Sequence, residues 1–332
     1  MRNLISIALA RRLTGIWYSK QIPPRPLRAA AVLYESIVRG RLVRPPEKPP
    51  CPVIVVGNLV AGGSGKTPVV AALAEALALA GFEVSIISRG YGGRAGTRPV
   101  RVESGASAAE VGDEALELRL RTGRPVWVCR KRAAAMQAAV AEGAQVVVSD
   151  DGLQHTALPR SFEICVVDGR RGLGNGFCLP AGPLRQPVAR LETVDMVLIK
   201  QDPGAAAPDM VGTSFELESA GLEPVDGDAC PPRPPTQVDA LAGIADPEAF
   251  FEALERLGFR VRRHPLVDHQ PITAKMLGSL SGPVVMTAKD RTRLARPALN
   301  PERADLFVLP VRARLPEGVL QRVVDHVREF RT

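Results

Sequence analysis

The chain has 332 residues, 45% apolar and 23% charged, which is enough for a packed core of about two domains and rules out disorder throughout. Lys and Arg outnumber Asp and Glu by 43 to 35, and the whole excess of +8 lies in residues 1–50, where ten basic residues face only Glu35 and Glu47. A basic docking surface therefore belongs to the N-terminal arm, and with no apolar run near eighteen residues the sequence excludes a polytopic membrane protein.

Arg2, the run Leu4 to Leu9 and Ala8-Leu9-Ala10 imitate a signal peptide, but the run is too short and Arg11-Arg12 follow at once, so the segment reads as uncleaved. The cysteines Cys51, Cys129, Cys165, Cys178 and Cys230 are odd in number, widely spaced and without a CxxC, which indicates neither a disulfide framework nor a zinc site and fits a reducing compartment. From Leu27 to Val43 apolar residues and arginines recur at roughly helical spacing, just after Trp17, Tyr18 and Lys20. This predicts a helix that either packs on the core or lies in a membrane interface.

After a proline-rich link at 45–52, Val53-Ile54-Val55-Val56 predicts a buried parallel strand, followed by a glycine loop, a helix over Lys66–Ala80 and a second strand over Glu83–Ser88. Further strands are expected at Pro125–Cys129, Gln145–Ser149, Glu163–Asp168 and Val194–Lys200, with a helix at Arg130–Glu142. The alternation means a doubly wound α/β sheet. Residues 213–235, rich in Gly, Asp and Pro, read as a linker between a core at 51–212 and a smaller α/β lobe at 236–332. In that lobe strands are expected at Val238–Ile244, Arg260–Arg263, Val284–Thr287 and Leu306–Val311, with helices at Pro247–Leu257, Thr273–Leu280 and from Glu317.

The strongest motif is Gly62-Gly63-Ser64-Gly65-Lys66-Thr67, between the first strand and helix. Its glycines let backbone N–H groups turn around phosphate oxygens, Lys66 neutralises the β and γ phosphates, and Thr67 can ligate Mg²⁺. Val60 stands where the strict GxxxxGK[ST] pattern has glycine, so the match is to the GGxGKT variant. Val146-Val147-Val148-Ser149-Asp150-Asp151 is an apolar strand ending in two acids, the arrangement that holds magnesium beside such a loop. Asp-Asp-Gly is also good turn chemistry, and the sequence does not say which aspartate would touch the metal. Four histidines are candidates for proton transfer, His155, His264, His269 and His326.

With these residues in view, the chain resembles the tetraacyldisaccharide 4′-kinase family, from the basic arm to near residue 310. The likeness rests on Gly57-Asn58 with GGSGKTP, Ser88-Arg89-Gly90-Tyr91-Gly92-Gly93, Val111-Gly112-Asp113-Glu114, DDGLQH at 150–155, Gly174-Asn175-Gly176, LPAGPLR at 179–185, Asp268-His269-Gln270 and Met286-Thr287-Ala288-Lys289-Asp290. SRGYGG and DDGLQH together are not shared by P-loop proteins at large. The resemblance implies a P-loop fold with a second α/β lobe and transfer of the ATP γ-phosphate to the 4′-hydroxyl of a tetraacylated disaccharide 1-phosphate. It places that reaction at the cytoplasmic face of the bacterial inner membrane, the basic arm acting as a peripheral or monotopic anchor on an anionic surface. By the same resemblance, Asp113 is the base for the sugar hydroxyl, assisted by His269, and Lys66 serves catalysis. Asp150, Asp151 and Thr67 hold Mg²⁺, and Arg89 and Arg185 contact substrate phosphate. Three positions depart from the family pattern: Ala115 where proline is frequent, Gln186 where Glu is frequent, and MTAKDR for MTEKDA.

Two rival readings share some of these features. A P-loop ATPase acting as a switch or partition factor would use the same loop and Asp150. A guanine-specific version would need NKxD, and Ile199-Lys200-Gln201-Asp202 lacks its asparagine. A nucleic-acid-binding protein would explain the basic balance, but the excess charge is confined to one arm bearing aromatic residues and no recognised nucleic-acid module is present.

Overall fold

The computed structural model of the chain describes residues 13–19, 21–40, 48–202, 210–219, 221–244, 246–267, 270–294 and 305–330. Two sheets organise it. The larger, nine-stranded, contains β1 (Val53–Gly57), β2 (Val84–Ser88), β3 (Val100–Arg101), β4 (Val126–Val128), β5 (Val146–Asp150), β6 (Phe162–Asp168), β7 (Met196–Gln201), β8 (Thr213–Ser219) and β14 (Val311–Arg314). Their spatial order is β14-β8-β7-β6-β1-β5-β2-β4-β3, with β3 and β14 the antiparallel strands at the two edges. The smaller, five-stranded, contains β9 (Glu223–Pro224), β10 (Gln237–Ala242), β11 (Arg260–Pro265), β12 (Val284–Thr287) and β13 (Leu306–Leu309), in the order β11-β10-β12-β13-β9.

Strand β1 runs between β5 and β6, and all of its residues are buried. Because successive strand residues face opposite ways, Ile54 and Val56 join one core while Val53 and Val55 join the other. Helix α2 (Lys66–Leu79) covers the first face, contributing Val69, Val70, Leu73 and Leu77. Helix α5 (Arg132–Ala141) covers the second with Ala135, Met136 and Ala139. Each fully buried Val, Ile or Leu contributes about 1.5–3 kcal/mol, so a central strand buried on both faces is a firm base for the loop that follows it. From β1 the chain crosses to β2 on one side, whereas β6 lies on the other. That reversal of direction opens a crevice at the carboxyl ends of β1 and β5.

Helix α1 (Arg25–Gly40) lies ahead of the core, and α6 (Pro247–Arg256), α7 (Ala274–Gly278) and α8 (Ala288–Arg291) belong to the small lobe. The final helix, α9 (Glu317–Phe330), does not belong there: Val319, Val323, Val324 and Val327 pack in the same core as α2. The expected division at 213–235 and 236–332 therefore runs differently in the structure. Thr213–Ser219 is a strand pairing with β7 and β14, and Leu306–Val311, expected as one strand, is cut at Pro310. Proline cannot supply a ladder N–H, and at this point the chain leaves the small sheet and returns to the large one. The small lobe is thus an insertion that the large sheet closes behind.

Candidate active site

The phosphate loop leaves the carboxyl end of β1 and enters α2 at Lys66. Gly62 (φ +112°) and Gly65 (φ +83°) hold left-handed backbone that a side chain would strain, and Gly65 caps α2 directly. Buried Asn58 donates Nδ2–H to the carbonyl of Gly62 at 3.1 Å, closing the loop from inside. The LPAGPLR segment straps it from outside: Ala61 donates to the carbonyl of Pro183 at 2.8 Å and Arg185 donates its backbone N–H to that of Leu59 at 2.6 Å. Gln154 of DDGLQH completes the clasp by donating to the carbonyl of Asn58 at 2.8 Å. Three distant motifs thus form one rigid cradle at a helix N-terminus, the arrangement that binds phosphate.

Asp150 ends β5 beside this cradle and Asp151 follows it, and the two sit in different surroundings. Asp150 is buried, and neither of its carboxylate oxygens has a hydrogen-bond partner among the described residues. Burial pushes its pKa up to about 7, with Glu114 adding to the rise and Lys66 opposing it. The buried Ser64 hydroxyl is likewise unpartnered. Asp151 sits at φ 47°, which turns its side chain toward cations: Arg185 Nη1 at 3.0 Å and Lys66 Nζ at 3.4 Å. Burial would raise its pKa, but Lys66, Arg185 and Arg132 outweigh that and hold it low. The two aspartates, both expected to hold or orient the metal with the contacting one left open, differ in their surroundings: Asp150 has no hydrogen-bond partner among the described residues, while Asp151 is engaged by Lys66 and Arg185. Arg185, expected on a substrate phosphate, is held on Asp151.

Among the described residues no cluster of three His, Cys, Asp or Glu side chains forms. Magnesium needs none, since it is commonly held by one or two carboxylates together with phosphate oxygens and water. Asp150, with half-buried Thr67 in the first turn of α2, fits that donor set.

The SRGYGG and VGDE motifs meet here, and their glycines explain how. A Cβ on Gly112 (φ +87°) would lie 2.5 Å from the carbonyl oxygen of Tyr91, and one on Gly93 would lie 2.5 Å from the backbone nitrogen of Gly112. The two backbones therefore touch directly. Gly112 then starts α4 (Asp113–Thr122), which follows α3 (Ala108–Val111), so Asp113 occupies the first position of a helix. Asp113 is buried and accepts a hydrogen bond from Arg293 Nε at 2.7 Å. Arg89, at the end of β2, is exposed. Asp268 and His269 lie outside the described residues. His264 is bound to buried Asp239 at 2.9 Å, and His326 to Ser161 at 3.0 Å, both away from the loop.

Arg293 is the residue that sequence reasoning missed. It follows the MTAKDR stretch without a motif of its own, and only its position opposite Asp113, across the boundary between the lobes, distinguishes it from the other arginines.

The sequence model of the family described as LpxK, tetraacyldisaccharide-1-P 4′-kinase, matches residues 24–328. The tetraacyldisaccharide 4′-kinase of Alkalilimnicola ehrlichii is 49% identical over 291 residues, covering 86% of this chain and 83% of the relative. That of Alcanivorax borkumensis is 41% identical over 321 residues, covering 93% and 95%. The crystal structure of Aquifex aeolicus LpxK in complex with ATP superposes with a TM-score of 0.73 at 25% identity, covering 91% of this chain and 97% of that one. The chain belongs to the tetraacyldisaccharide 4′-kinase family.

Proposed function

We propose that this chain transfers the γ-phosphoryl group of ATP to the 4′-hydroxyl of a tetraacyldisaccharide 1-phosphate, as the names of its relatives describe. The cradle around Gly62–Thr67 receives the phosphates, and Lys66 leaves Asp151 to neutralise them. Asp150 and Thr67 would hold Mg²⁺, which would supply positive charge against that of the phosphates. The sugar hydroxyl oxygen forms the new bond to γ-phosphorus as the bond to the ADP oxygen breaks, and the hydroxyl proton passes to the Asp113 carboxylate. Arg89 contributes positive charge for the anionic substrate, Arg185 joins it on leaving Asp151, and His269 assists Asp113.

The observation that carries this reading is the interlock of Gly112 with Gly90 and Tyr91. It fixes a buried carboxylate at the start of α4, whose next residue, Glu114, is near enough to perturb Asp150. A switch-type ATPase has no need of such a carboxylate. The deciding measurement is transfer of label from γ-labelled ATP to a tetraacyldisaccharide 1-phosphate in mixed micelles with Mg²⁺. Asp113→Ala and Lys66→Ala should each lower the labelled lipid by about 100-fold or more, and ATP hydrolysis without labelled lipid would overturn the reading.

The acceptor carries fatty chains, and α1 supports a membrane-facing position at the cytoplasmic face of the inner membrane. Val32, Leu33 and Ile37 are 66%, 65% and 50% exposed on one side of it, with Ile22 just before. No helix among the described residues is long and apolar enough to cross a membrane. The exposed row, together with Arg25 and Arg28, suits a helix lying in an anionic interface.

A further inference from the structure

Arg293 is nearly sequestered, with 3% of its side chain exposed, and its guanidinium is gripped from three directions. Nε donates to Asp113 Oδ2 at 2.7 Å, and Nη1 donates to Asp290 Oδ1 at 3.1 Å and to the carbonyl of Gly243 at 2.9 Å. Asp290 is itself fixed, accepting from Thr287 Oγ1 at 2.6 Å and from the backbone N–H of Gly243 at 3.0 Å. Gly243 must lack a side chain, since a Cβ there would lie 2.8 Å from Arg293 Nη1 and 2.9 Å from Asp290 Oδ1. Every member of this network except Asp113 belongs to the small lobe.

We infer that Arg293 is the positioning residue for Asp113, holding its carboxylate in orientation and coupling that orientation to the seating of the small lobe. The inference rests on the reading of Asp113 as the base. A planar guanidinium anchored at Nη1 presents Nε in one direction only, which a mobile lysine would not do. In general a cation beside a carboxylate favours its charged form, the form in which a carboxylate can accept a proton. Phosphoryl transfer depends mainly on placement and charge, so a base held at fixed geometry matters more than a strong one. Among the described residues, the ionisable groups near this carboxylate include Glu114 and Glu117 on its own helix, Arg293 bound to it and Asp290 bound to Arg293 from across the boundary, with Lys289 on Glu114; His269 joins them in the proposed function.

The test uses the full chain in mixed micelles, with kcat, KM for ATP, the pH profile of kcat and thermal melting for the wild type, Arg293→Lys, Arg293→Met, Asp113→Ala and the Asp113→Ala/Arg293→Met double variant. Arg293→Met should lower kcat by about 30-fold or more with KM for ATP within about twofold, and move the acid limb of the profile up by about one pH unit. Arg293→Lys should return the limb to its wild-type position with kcat within about tenfold of wild type. Because Arg293 acts through Asp113, the double variant should be no slower than Asp113→Ala by more than about threefold. An inactive Asp113→Ala beside an Arg293→Met enzyme with wild-type kcat and limb overturns the positioning role alone. A fully active Asp113→Ala overturns the base as well. Should Arg293→Met fail to fold, Arg293→Lys decides: kcat lowered about threefold or more at unchanged KM for ATP upholds the inference, and wild-type kcat ends it.

Discussion

Asp150 and Asp151 are neighbours in the chain and opposites in electrostatic state. The first is buried with no hydrogen-bond partner among the described residues, and the second is held by Lys66 at 3.4 Å and Arg185 at 3.0 Å. On the proposed function the open carboxylate would serve a cation, whereas the neutralised one would organise the loop's own charges. Asp150→Asn should therefore lower kcat by about 100-fold or more and raise the Mg²⁺ concentration needed for half-maximal rate. Asp151→Asn should act chiefly on KM for ATP, because it releases Lys66 and Arg185 without removing a metal ligand. Magnesium titrations of both variants at saturating ATP check this, and equal effects on the Mg²⁺ requirement would contradict the division.

The contact between Gly112 and the carbonyl of Tyr91 predicts a cost that depends on space as well as backbone. Gly112→Ala would put a Cβ 2.5 Å from that oxygen at φ +87°, whereas Gly123, at φ +65°, has nothing within 4 Å of its Cβ position. Gly123→Ala should cost about 1 kcal/mol from backbone strain alone. Gly112→Ala should cost about 3 kcal/mol or more and also displace Asp113, lowering kcat by about 100-fold. Thermal melts and kcat for the pair separate strain from displacement.

How much of this was legible beforehand follows from where each signal lies. The β1, loop and α2 unit could be read because Val53–Val56, GGSGKT and an Ala-Leu-rich helix are adjacent in sequence, and the strand ending in Asp150 because burial on both faces leaves a continuous apolar run. The pairing of β8 with β14 could not, since Thr213–Ser219 is a partly exposed strand near one edge whose partner lies about a hundred residues away. The apolar stripe of α9 predicted a helix but not which lobe it would cover. Asp113 entered through a family resemblance, and Arg293 not at all, because an arginine acquires meaning only from the carboxylate that folding brings to it.

Glu117 gives a pH dependence. Burial raises its pKa to about 7, Glu114 and Asp290 add to the rise, and Arg121 and Lys289 oppose it. The folded chain keeps this proton where the unfolded chain, titrating near 4.3, has lost it, so the folded state binds more protons between these values and stability falls as pH rises through that window. The limiting slope is about 1.4 kcal/mol per pH unit. Glu117→Gln removes the ionisation and should be the more stable protein at pH 8 by about 2 kcal/mol, with the difference shrinking toward pH 5. Melting curves from pH 5 to 8 test the sign. A gap that widens on acidification would show that Glu117 is stabilised as an anion by Arg121 and Lys289.

Helix α1 is fastened to the active-site strap on one side, where Tyr34 Oη donates to the carbonyl of Arg185 at 3.1 Å, while Val32, Leu33 and Ile37 are exposed. A side chain of this size contributes about 1.5–3 kcal/mol when fully buried, so even shallow insertion of two of them should be measurable. Val32→Ser/Leu33→Ser should lower sedimentation with vesicles containing anionic lipid by about tenfold or more. In detergent micelles, where the acceptor is delivered without a bilayer, the same variant should keep kcat within about twofold, because neither side chain contributes to the phosphate cradle. Unchanged vesicle binding would remove this face of α1 from the membrane contact. Equal loss in vesicles and micelles would mean that the substitutions disturb the Tyr34 fastening, and with it the Arg185 strap, instead of the docking of the arm.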